Sequence, residues 1–187
     1  RLLSHLAAFE VPGASKLVFH TDGGINIAPI GREKIEILAN ALEALGAMGY
    51  REPKVAVLAA NEAVSDKMPA TVQAAEVVEA WKSGRFATPC VVEGPIAMDV
   101  AVSTEAARHK GIQSRVSGKT DLFLMPNIEA SNIASKSLIY YAGAKMAGIV
   151  LGASAPVVMT SRAETPEGKR NSIALACLVS GGKGEGK

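Results

Sequence analysis

Short apolar runs alternate along the chain with longer segments that have helical spacing. The apolar runs predict strands at residues 16–21, 54–59, 88–92, 121–125, 148–152 and 156–159. Helical spacing and helix-start residues predict helices at residues 32–48, 69–82, 98–110, 130–147 and 166–179. In the first helix, Ile35, Leu38, Leu42 and Leu45 recur at three- and four-residue steps, so they share one face.

This order of elements predicts an α/β fold, because strands that alternate with helices of ten or more residues pair in parallel. Ligands of such sheets bind at the carboxyl edge, where strands end and helices begin. Thr21 and Asp22 follow one predicted strand, and Asn127 follows another. We therefore predict that these three residues bind substrate.

Ser161 and Arg162 form a polar elbow between the apolar run 156–159 and the helix start at Thr165-Pro166. The elbow presents a hydroxyl, a guanidinium and the free N–H groups of a helix start, which together suit a phosphate or another anion. The alternative interpretation is an ordinary strand–loop–helix turn with a surface arginine.

Asn132 and Lys136 lie four positions apart in a predicted helix, so they share a face near its N-terminal end. Lys136 either binds an anion there or belongs to a solvated surface pair, and the spacing leaves both interpretations open.

Composition narrows the function classes. The 187 residues are 48% hydrophobic and 20% charged, as in soluble globular proteins, and a net charge of +2 gives no basic field for nucleic acid. The longest apolar stretch, residues 146–159, is interrupted by two glycines and a proline, so we expect no membrane helix and a cytoplasmic location.

The cysteines and histidines point away from a metal site. Cys90 and Cys177 both have apolar neighbours, which predicts two buried thiols in a reducing compartment. The three histidines are scattered and form no cluster with cysteine, so we expect no bound metal.

Five segments, taken together, carry a family resemblance: residues 21–29, 93–99, 116–121, 125–136 and 156–162. Their order and spacing resemble those of the phosphate acetyl/butyryltransferase family along nearly the whole chain. The segments T-D-G-G-I-N-I-A-P and G-P-I-A-M-D resemble the butyryl branch more than the acetyl branch.

The resemblance implies reversible acyl transfer between CoA and inorganic phosphate, with both as substrates and no tightly bound cofactor. It implies a three-layer parallel-sheet α/β domain of the isocitrate/isopropylmalate dehydrogenase-like type, over residues 1–148. Residues 149–187 would complete a second α/β domain and end in a flexible tail from about residue 181. The family is usually dimeric and extends further at the N-terminus, so we expect a homodimer and a chain that lacks the N-terminal part.

The resemblance also assigns roles at the elbow. Arg162 would bind phosphate or the oxyanion, and Ser161 would donate a hydrogen bond to the thioester oxygen. The acetyl branch carries an aspartate seven residues after the serine, where this chain has Gly168. We hypothesise that Glu164 or Glu167 deprotonates the CoA thiol instead, or that no base acts there.

Two further interpretations stay open beside acyl transfer. A dehydrogenase-like enzyme of the same fold would need a tight cluster of metal-binding aspartates, which the sequence does not offer. A non-catalytic or inactive fragment that dimerises or binds CoA is the other alternative.

Ser131 stands where the resembled family usually has glycine, which bears on how closely a ligand approaches the helix start.

Overall fold

The computed structural model describes residues 2–182, which form one mixed α/β unit. The strands are β1 (Ser4–Glu10), β2 (Val18–Thr21), β3 (Lys54–Leu58), β4 (Val91–Ile96), β5 (Leu122–Leu124), β6 (Lys145–Leu151) and β7 (Val157–Val158). The helices are α1 (Gly31–Ala47), α2 (Pro69–Lys82), α3 (Met98–Val102), α4 (Thr104–His109), α5 (Ile128–Ala142) and α6 (Pro166–Gly181).

The described strands form a seven-stranded sheet in the order β4-β3-β5-β2-β1-β6-β7. The first four strands of that order are mutually parallel, as the alternation of strands and helices predicts. Strand β1 runs antiparallel to both β2 and β6, and β7 runs antiparallel to β6. The α/β class and its mostly parallel sheet are therefore confirmed, with an antiparallel β1 inserted between two strands that run the same way.

Helices cover both faces of this sheet. The larger core cluster joins α1, α2 and α6 to one face, with Ile37, Leu42 and Leu175 among its buried members. On the opposite face, Val100 of α3 and Ala107 of α4 pack on one part of the sheet. Helix α5 packs on β1 and β6 through its partly buried residues. None of the helices in the described range 2–182 is long and apolar enough to cross a membrane.

Two predicted helices differ from the structure for local reasons. The predicted helix 98–110 is two helices, because Ser103 is extended and its hydroxyl caps α4 by accepting from the N–H of Ala106. The predicted helix 130–147 ends at Ala142, because Gly143 adopts a φ of 68°. The residues beyond that glycine instead form strand β6.

Two strands also differ from the predicted pattern. Strand β1 has no counterpart among the predicted elements. Strand β4 runs from Val91 to Ile96, whereas the sequence pattern predicts a strand at residues 88–92, so Gly94 and Pro95 lie within the strand and not after it. Gly94 packs closely on β3, where a side chain would overlap Val57.

The alternation of strands and helices predicts that the elbow, like the other polar strand ends, lies at the carboxyl edge of parallel strands, and the direction of β7 corrects this expectation. Val158 pairs with Ile149 and Val157 with Val150, so β7 runs against β6. The segment after β7 therefore leaves toward the opposite edge from the carboxyl ends of the parallel strands. The polar elbow at Ser161 and Arg162 therefore does not lie at the carboxyl edge where a parallel strand would have placed it.

The two cysteines behave differently. Cys90 is buried, and burial raises the pKa of its thiol to about 11, with a smaller contribution from Glu52. An inert, structural thiol is the consequence. Cys177 is exposed on α6, so the expectation of two buried thiols is wrong for this residue.

The expected division at residue 148 falls inside β6, and α6 packs against α1 and β6 of the same sheet. The domain division of the whole protein stays a prediction. Helix α6 continues to Gly181, and the predicted flexible tail beyond Gly182 lies outside the described residues.

Candidate functional site

A cavity of about 420 Å³ lies between α5, strands β1 and β6, and the segment that connects β7 to α6. We call it the α5 cavity. Its floor consists of His5 and Ala7 of β1 and Met146 of β6. Its walls include Ser131, Asn132 and Lys136 of α5 on one side, and Ser161 and Glu164 on the other.

The alternation of β1 explains the floor. Successive side chains of a strand point to opposite faces. Leu6 and Ala8 enter the core beneath α1, so His5 and Ala7 face the α5 cavity. Sequence reasoning missed both residues because it assigned no strand here. The apolar run from Leu6 to Phe9, closed by Pro12-Gly13, is the signal that could have found it.

The loop after β2 is held by the two predicted binding residues Thr21 and Asp22. The hydroxyl of Thr21 donates to the carbonyl of His5 at 2.9 Å. The carboxylate of Asp22 accepts from the backbone N–H groups of Gly24 and Asn26, at 2.8 and 3.2 Å, and from the Asn26 amide at 2.6 Å. The Thr21 and Asp22 side chains are buried and do not line the cavity. They fix the loop whose residues Gly23 and Gly24 do line it.

His5 is a buried imidazole next to a buried carboxylate. Burial lowers the pKa of His5, and the nearby negative charge of Asp22 opposes this effect more weakly. The side chain is only 9% exposed, and its Nδ1 has no hydrogen-bond partner among the described residues. His5 is therefore neutral at pH 7 and retains hydrogen-bonding capacity.

Helix α5 positions one wall. The Asn127 side chain caps the helix by accepting from the N–H of Ala130 at 2.8 Å, and the N–H of Ile128 donates to Ile27 at 2.9 Å. Asn127 therefore acts as a cap in this structure. Asn132 and Lys136, which share a face as predicted, are exposed and line the cavity.

The opposite wall is the segment between β7 and α6. The Ser161 carbonyl accepts from the N–H of Glu164 at 3.0 Å, and its hydroxyl oxygen accepts from the N–H of Ala163 at 3.3 Å. Among residues 2–182 no acceptor takes the Ser161 O–H, so the hydroxyl can donate into the cavity that it lines. Arg162 is exposed and lies outside the lining, between two residues that belong to it. Thr165 caps α6, as predicted, by accepting from the N–H of Gly168 at 3.0 Å.

The two candidate bases have different surroundings. Glu164 is half-buried and lines the α5 cavity. A Cβ built on Gly168 would overlap the Glu164 carboxylate, so the glycine provides the space that this carboxylate occupies. Glu167 is exposed and pairs with Lys145 at 2.8 Å, and the hydrogen bond from Lys145 lowers the pKa of Glu167.

The dehydrogenase-like alternative would require a metal site. No group of three or more histidine, cysteine, aspartate or glutamate side chains within residues 2–182 is arranged to hold a metal ion. The α5 cavity offers instead hydroxyls, an amide, a cation and a carboxylate beside apolar surface. This set suits an acyl group and an oxyanion.

The sequence model described as phosphate acetyl/butaryl transferase matches residues 1–177. The chain belongs to this family. It is 47% identical over 183 residues to a phosphate butyryltransferase from Clostridium acetobutylicum, covering 98% of this chain and 60% of that protein. It is 40% identical over 178 residues to a phosphate acetyltransferase from Thermotoga maritima, covering 95% of this chain and 60% of that protein.

Solved structures agree with this membership of the phosphate acetyl/butyryltransferase family. A branched-chain phosphotransacylase from Enterococcus faecalis V583 superimposes with a TM-score of 0.87 at 36% identity, covering 95% of this chain and 63% of that one. A 4-hydroxythreonine-4-phosphate dehydrogenase from Klebsiella pneumoniae gives a TM-score of 0.58 at 17% identity over 93% of this chain and 54% of that one, a likeness of fold alone. The chain spans about 60% of the length of the family relatives that it matches.

Proposed function

We propose that the protein is a phosphate acyltransferase that moves a butyryl or similar short or branched acyl group, or acetyl, between CoA and inorganic phosphate. Family membership and the names of the relatives support this reaction class. The observation that carries it in this chain is the α5 cavity, where Ser161, Glu164 and Lys136 surround a partly apolar floor.

The anionic substrate groups would be held by cations and hydroxyls of the two walls. Lys136 lines the cavity as a flexible point charge suited to phosphate. Arg162 would bind phosphate from the rim, where its exposed guanidinium can form two parallel hydrogen bonds. The Ser161 hydroxyl would donate to the thioester oxygen as negative charge develops on it.

Glu164 is the base that we propose for the CoA thiol. A free thiol has a pKa of about 8.5, so a carboxylate that accepts its proton assists at neutral pH. The thiolate sulfur then bonds to the carbonyl carbon of the acyl phosphate. The bond from that carbon to the phosphate oxygen breaks, and phosphate leaves with the electron pair. Glu164 is favoured over Glu167 because it lines the cavity, whereas Glu167 pairs with Lys145 outside it.

The acyl chain would lie along the apolar part of the cavity. This apolar part is lined by Ala7 and Met146 of the floor together with Ile139 and Tyr140 of α5. A short hydrocarbon chain gains about 0.8 kcal/mol for each methylene that it buries, which is the basis of a preference for butyryl over acetyl.

The remaining expectations belong to the whole protein. We propose that it acts as a cytoplasmic homodimer on acyl-CoA and phosphate, without nucleic acid, membrane or tightly bound cofactor. We also propose that further sequence of the longer family proteins supplies the wall that faces the α5 cavity. The competing possibility is a non-catalytic piece that dimerises or binds CoA.

The test compares Glu164→Gln with Glu167→Gln, a matched control three residues further on. Thiol consumption is followed with butyryl phosphate and CoA, and thiol release with butyryl-CoA and phosphate. We expect the Glu164 variant to lose a factor of about 100 or more in turnover, the usual contribution of a general base. The Glu167 variant should stay within about threefold of wild type, as expected for an exposed ion pair.

Equal rates in all three proteins would contradict the assignment of Glu164. If the wild-type chain shows no turnover but binds CoA by calorimetry, the non-catalytic alternative holds for this chain. Turnover in a longer family-length protein, with the same Glu164 dependence, would show that the α5 cavity is one half of the site.

A further inference from the structure

Helix α5 exposes apolar side chains that a surface helix usually buries. Within the described range, which includes all fifteen residues of α5, Ser131 is the buried residue of this helix. Ile133 is 66% exposed, Tyr140 74% and Tyr141 92%. Surface helices usually turn charged and polar residues toward water, so this exposed apolar face indicates a contact with another surface.

Two of these side chains belong to a row that lies outside the α5 cavity. Ile133, Ser137 and Tyr141 follow one another at steps of four residues, so they form one ridge along the helix. We call this row the α5 ridge. None of its three residues is among the described residues that line the α5 cavity. Another surface can therefore cover the ridge without occupying that cavity.

A second cavity, of about 570 Å³, opens beside the ridge between α5 and α3. We call it the α3 groove. Ala134 and Leu138 line it from α5, and Met98, Ala101 and Val102 line it from α3. Met98 is 38% exposed and Val102 is 54% exposed. The ridge and the rim of the α3 groove therefore form one continuous apolar patch.

The α5 ridge is complementary to a second copy of itself. Ser137 lies midway between Ile133 and Tyr141, with each of them about 6 Å away along the helix axis. If a second α5 runs antiparallel across Ser137, a two-fold axis at that residue places each Ile133 against Tyr141 of the other copy. The small serine allows the helices to approach closely, and the ridge carries no charge that would face its own copy.

The α3 groove enlarges this contact. A stable dimer buries about 800 Å² on each partner, which is more than the three side chains of the ridge supply. Two-fold symmetry keeps both grooves on the same side of the helix pair, so each Tyr141 ring would lie over the groove of the other copy. A different protein segment has no reason to match this two-fold spacing, so the pattern favours a second copy of the chain.

We propose that the α5 ridge and the rim of the α3 groove form the contact between two copies of this chain. Antiparallel α5 helices cross at Ser137, and Ile133 of each copy packs on Tyr141 of the other. The proposal rests on the homodimer that the proposed function includes, and not on acyl transfer itself. Both α5 cavities lie on the flank of the helices away from the α3 grooves, where they stay accessible to substrate.

Cysteine cross-linking tests the position of the two-fold axis. In a Cys177→Ser background, which removes the exposed native thiol, Ser137→Cys should form a disulfide between two copies under mild oxidation. Ile133→Cys and Tyr141→Cys should not, because each lies about 12 Å from its own copy along the helix axis. Ser180→Cys, at an exposed position of α6, is the control and should stay without a cross-link.

Sedimentation velocity over a range of protein concentrations tests the contact by its affinity. We expect wild type to dimerise, and Tyr141→Ala to raise the dimer dissociation constant by about 30-fold or more, as for an aromatic residue at the centre of an interface. Ile133→Ala should also raise it, by about tenfold. Ile173→Ala is the matched control, because Ile173 is 54% exposed on α6, and it should change the constant by less than about threefold.

The other results each have a defined meaning. A wild-type chain that stays monomeric at millimolar concentration overturns the proposal. A dimer that Ile133→Ala and Tyr141→Ala leave unchanged, or that Ile173→Ala weakens instead, has its contact elsewhere and also overturns it. Cross-linking of Ile133→Cys without cross-linking of Ser137→Cys excludes the crossing at Ser137. Association is measured without substrate, so a dimer of this kind that lacks acyl transfer contradicts the proposed reaction alone, and a monomer that transfers acyl groups contradicts this contact alone.

Discussion

At the scale of single residues, the site depends on Gly168, because the Glu164 carboxylate occupies the volume that a side chain at this position would need. Gly168 occupies the third position of α6, and its N–H is bonded to the capping hydroxyl of Thr165. Any side chain at Gly168 would take the volume that the Glu164 carboxylate fills. A glycine one turn away thus sets the position of the carboxylate that we propose as base.

We therefore predict that Gly168→Ala separates activity from stability. Alanine is favoured over glycine in a helix by up to about 1 kcal/mol, so the folded state should be as stable as wild type or slightly more stable. Turnover should fall toward the level of Glu164→Gln, by about tenfold or more, because the carboxylate is displaced. Thermal unfolding and butyryl-CoA formation are the two measurements.

Gly181→Ala is the matched control, since it lies in the same helix and a Cβ there would meet no atom within 4 Å. Wild-type rates in both glycine variants would refute the proposed link between Gly168 and Glu164.

Local chemistry explains which site residues the sequence could predict. The Thr165-Pro166 helix start, the polar elbow at Ser161 and the shared face of Asn132 and Lys136 all follow from rules that act over a few residues. His5 could not be predicted in this way, because its role depends on packing against Gly24 and Gly148 from distant parts of the chain. The same holds for the choice of Glu164 over Glu167, which required the position of Lys145.

At the scale of elements, β1 decides the shape of the cavity. Its sequence S-H-L-A-A-F-E has buried residues on both faces, so it shows no clear alternation, and its apolar run from Leu6 to Phe9 has only four residues, the shortest length that indicates a buried strand. Its partners β2 and β6 come from opposite parts of the sequence, and strand order is a non-local property that no short pattern encodes. The sequence therefore predicts the parallel strands and helices well, but neither β1 nor the reversed direction of β7.

The register of β1 leads to a prediction on acyl preference. Ala7 faces the cavity floor and is 3% exposed. Ala7→Leu would fill the apolar end, where a butyryl chain buries two methylenes more than acetyl. At about 0.8 kcal/mol for each methylene, the preference for butyryl-CoA over acetyl-CoA should fall about tenfold. The ratio of kcat/KM values, or of the affinities, measures it.

Ala7→Gly is the opposite control. It enlarges the same end of the cavity, so the preference for butyryl-CoA should stay at the wild-type level or shift toward longer chains. An unchanged ratio in Ala7→Leu, with the protein folded by circular dichroism, would remove the acyl chain from this part of the floor. Circular dichroism is needed because overpacking also destabilises a core.

At the scale of the whole molecule, the mixed sheet joins distant parts of the chain into one site. Strands β1, β6 and β7 occupy one side of the sheet, so residues near position 5 and residues near position 161 meet in the α5 cavity. The parallel strands β2 to β5 form the other part of the sheet, and the loop after β2 contributes Gly23 to the cavity lining. Helix caps can be predicted locally, but this juxtaposition results from strand order and emerges only in the folded molecule.

The stability of the whole molecule should depend on pH through a second buried histidine. His20 is 3% exposed and lies between the rings of Phe9 and Phe123 at centroid distances of 4.7 and 5.4 Å. Its Nδ1 has no hydrogen-bond partner in the part of the chain that the structure describes. Burial lowers the pKa of His20 from 6.5 to about 4. Between these values the unfolded chain binds a proton that the folded chain does not.

The contribution of neutral His20 to the free energy of unfolding is therefore fully present above pH 6.5. It is lost as the pH falls toward 4, which lowers the free energy of unfolding by about 3 kcal/mol. The pKa of His5 is lowered in the same direction and adds to the loss. Urea unfolding of wild type and His20→Leu at several pH values from 7 to 4.5 measures the effect. The variant should lose clearly less stability over this window, whatever its stability at pH 7.

His109→Leu, whose imidazole is exposed on α4, should keep the wild-type dependence of stability on pH. Parallel pH curves for wild type and His20→Leu would show that protonation of His20 does not oppose folding.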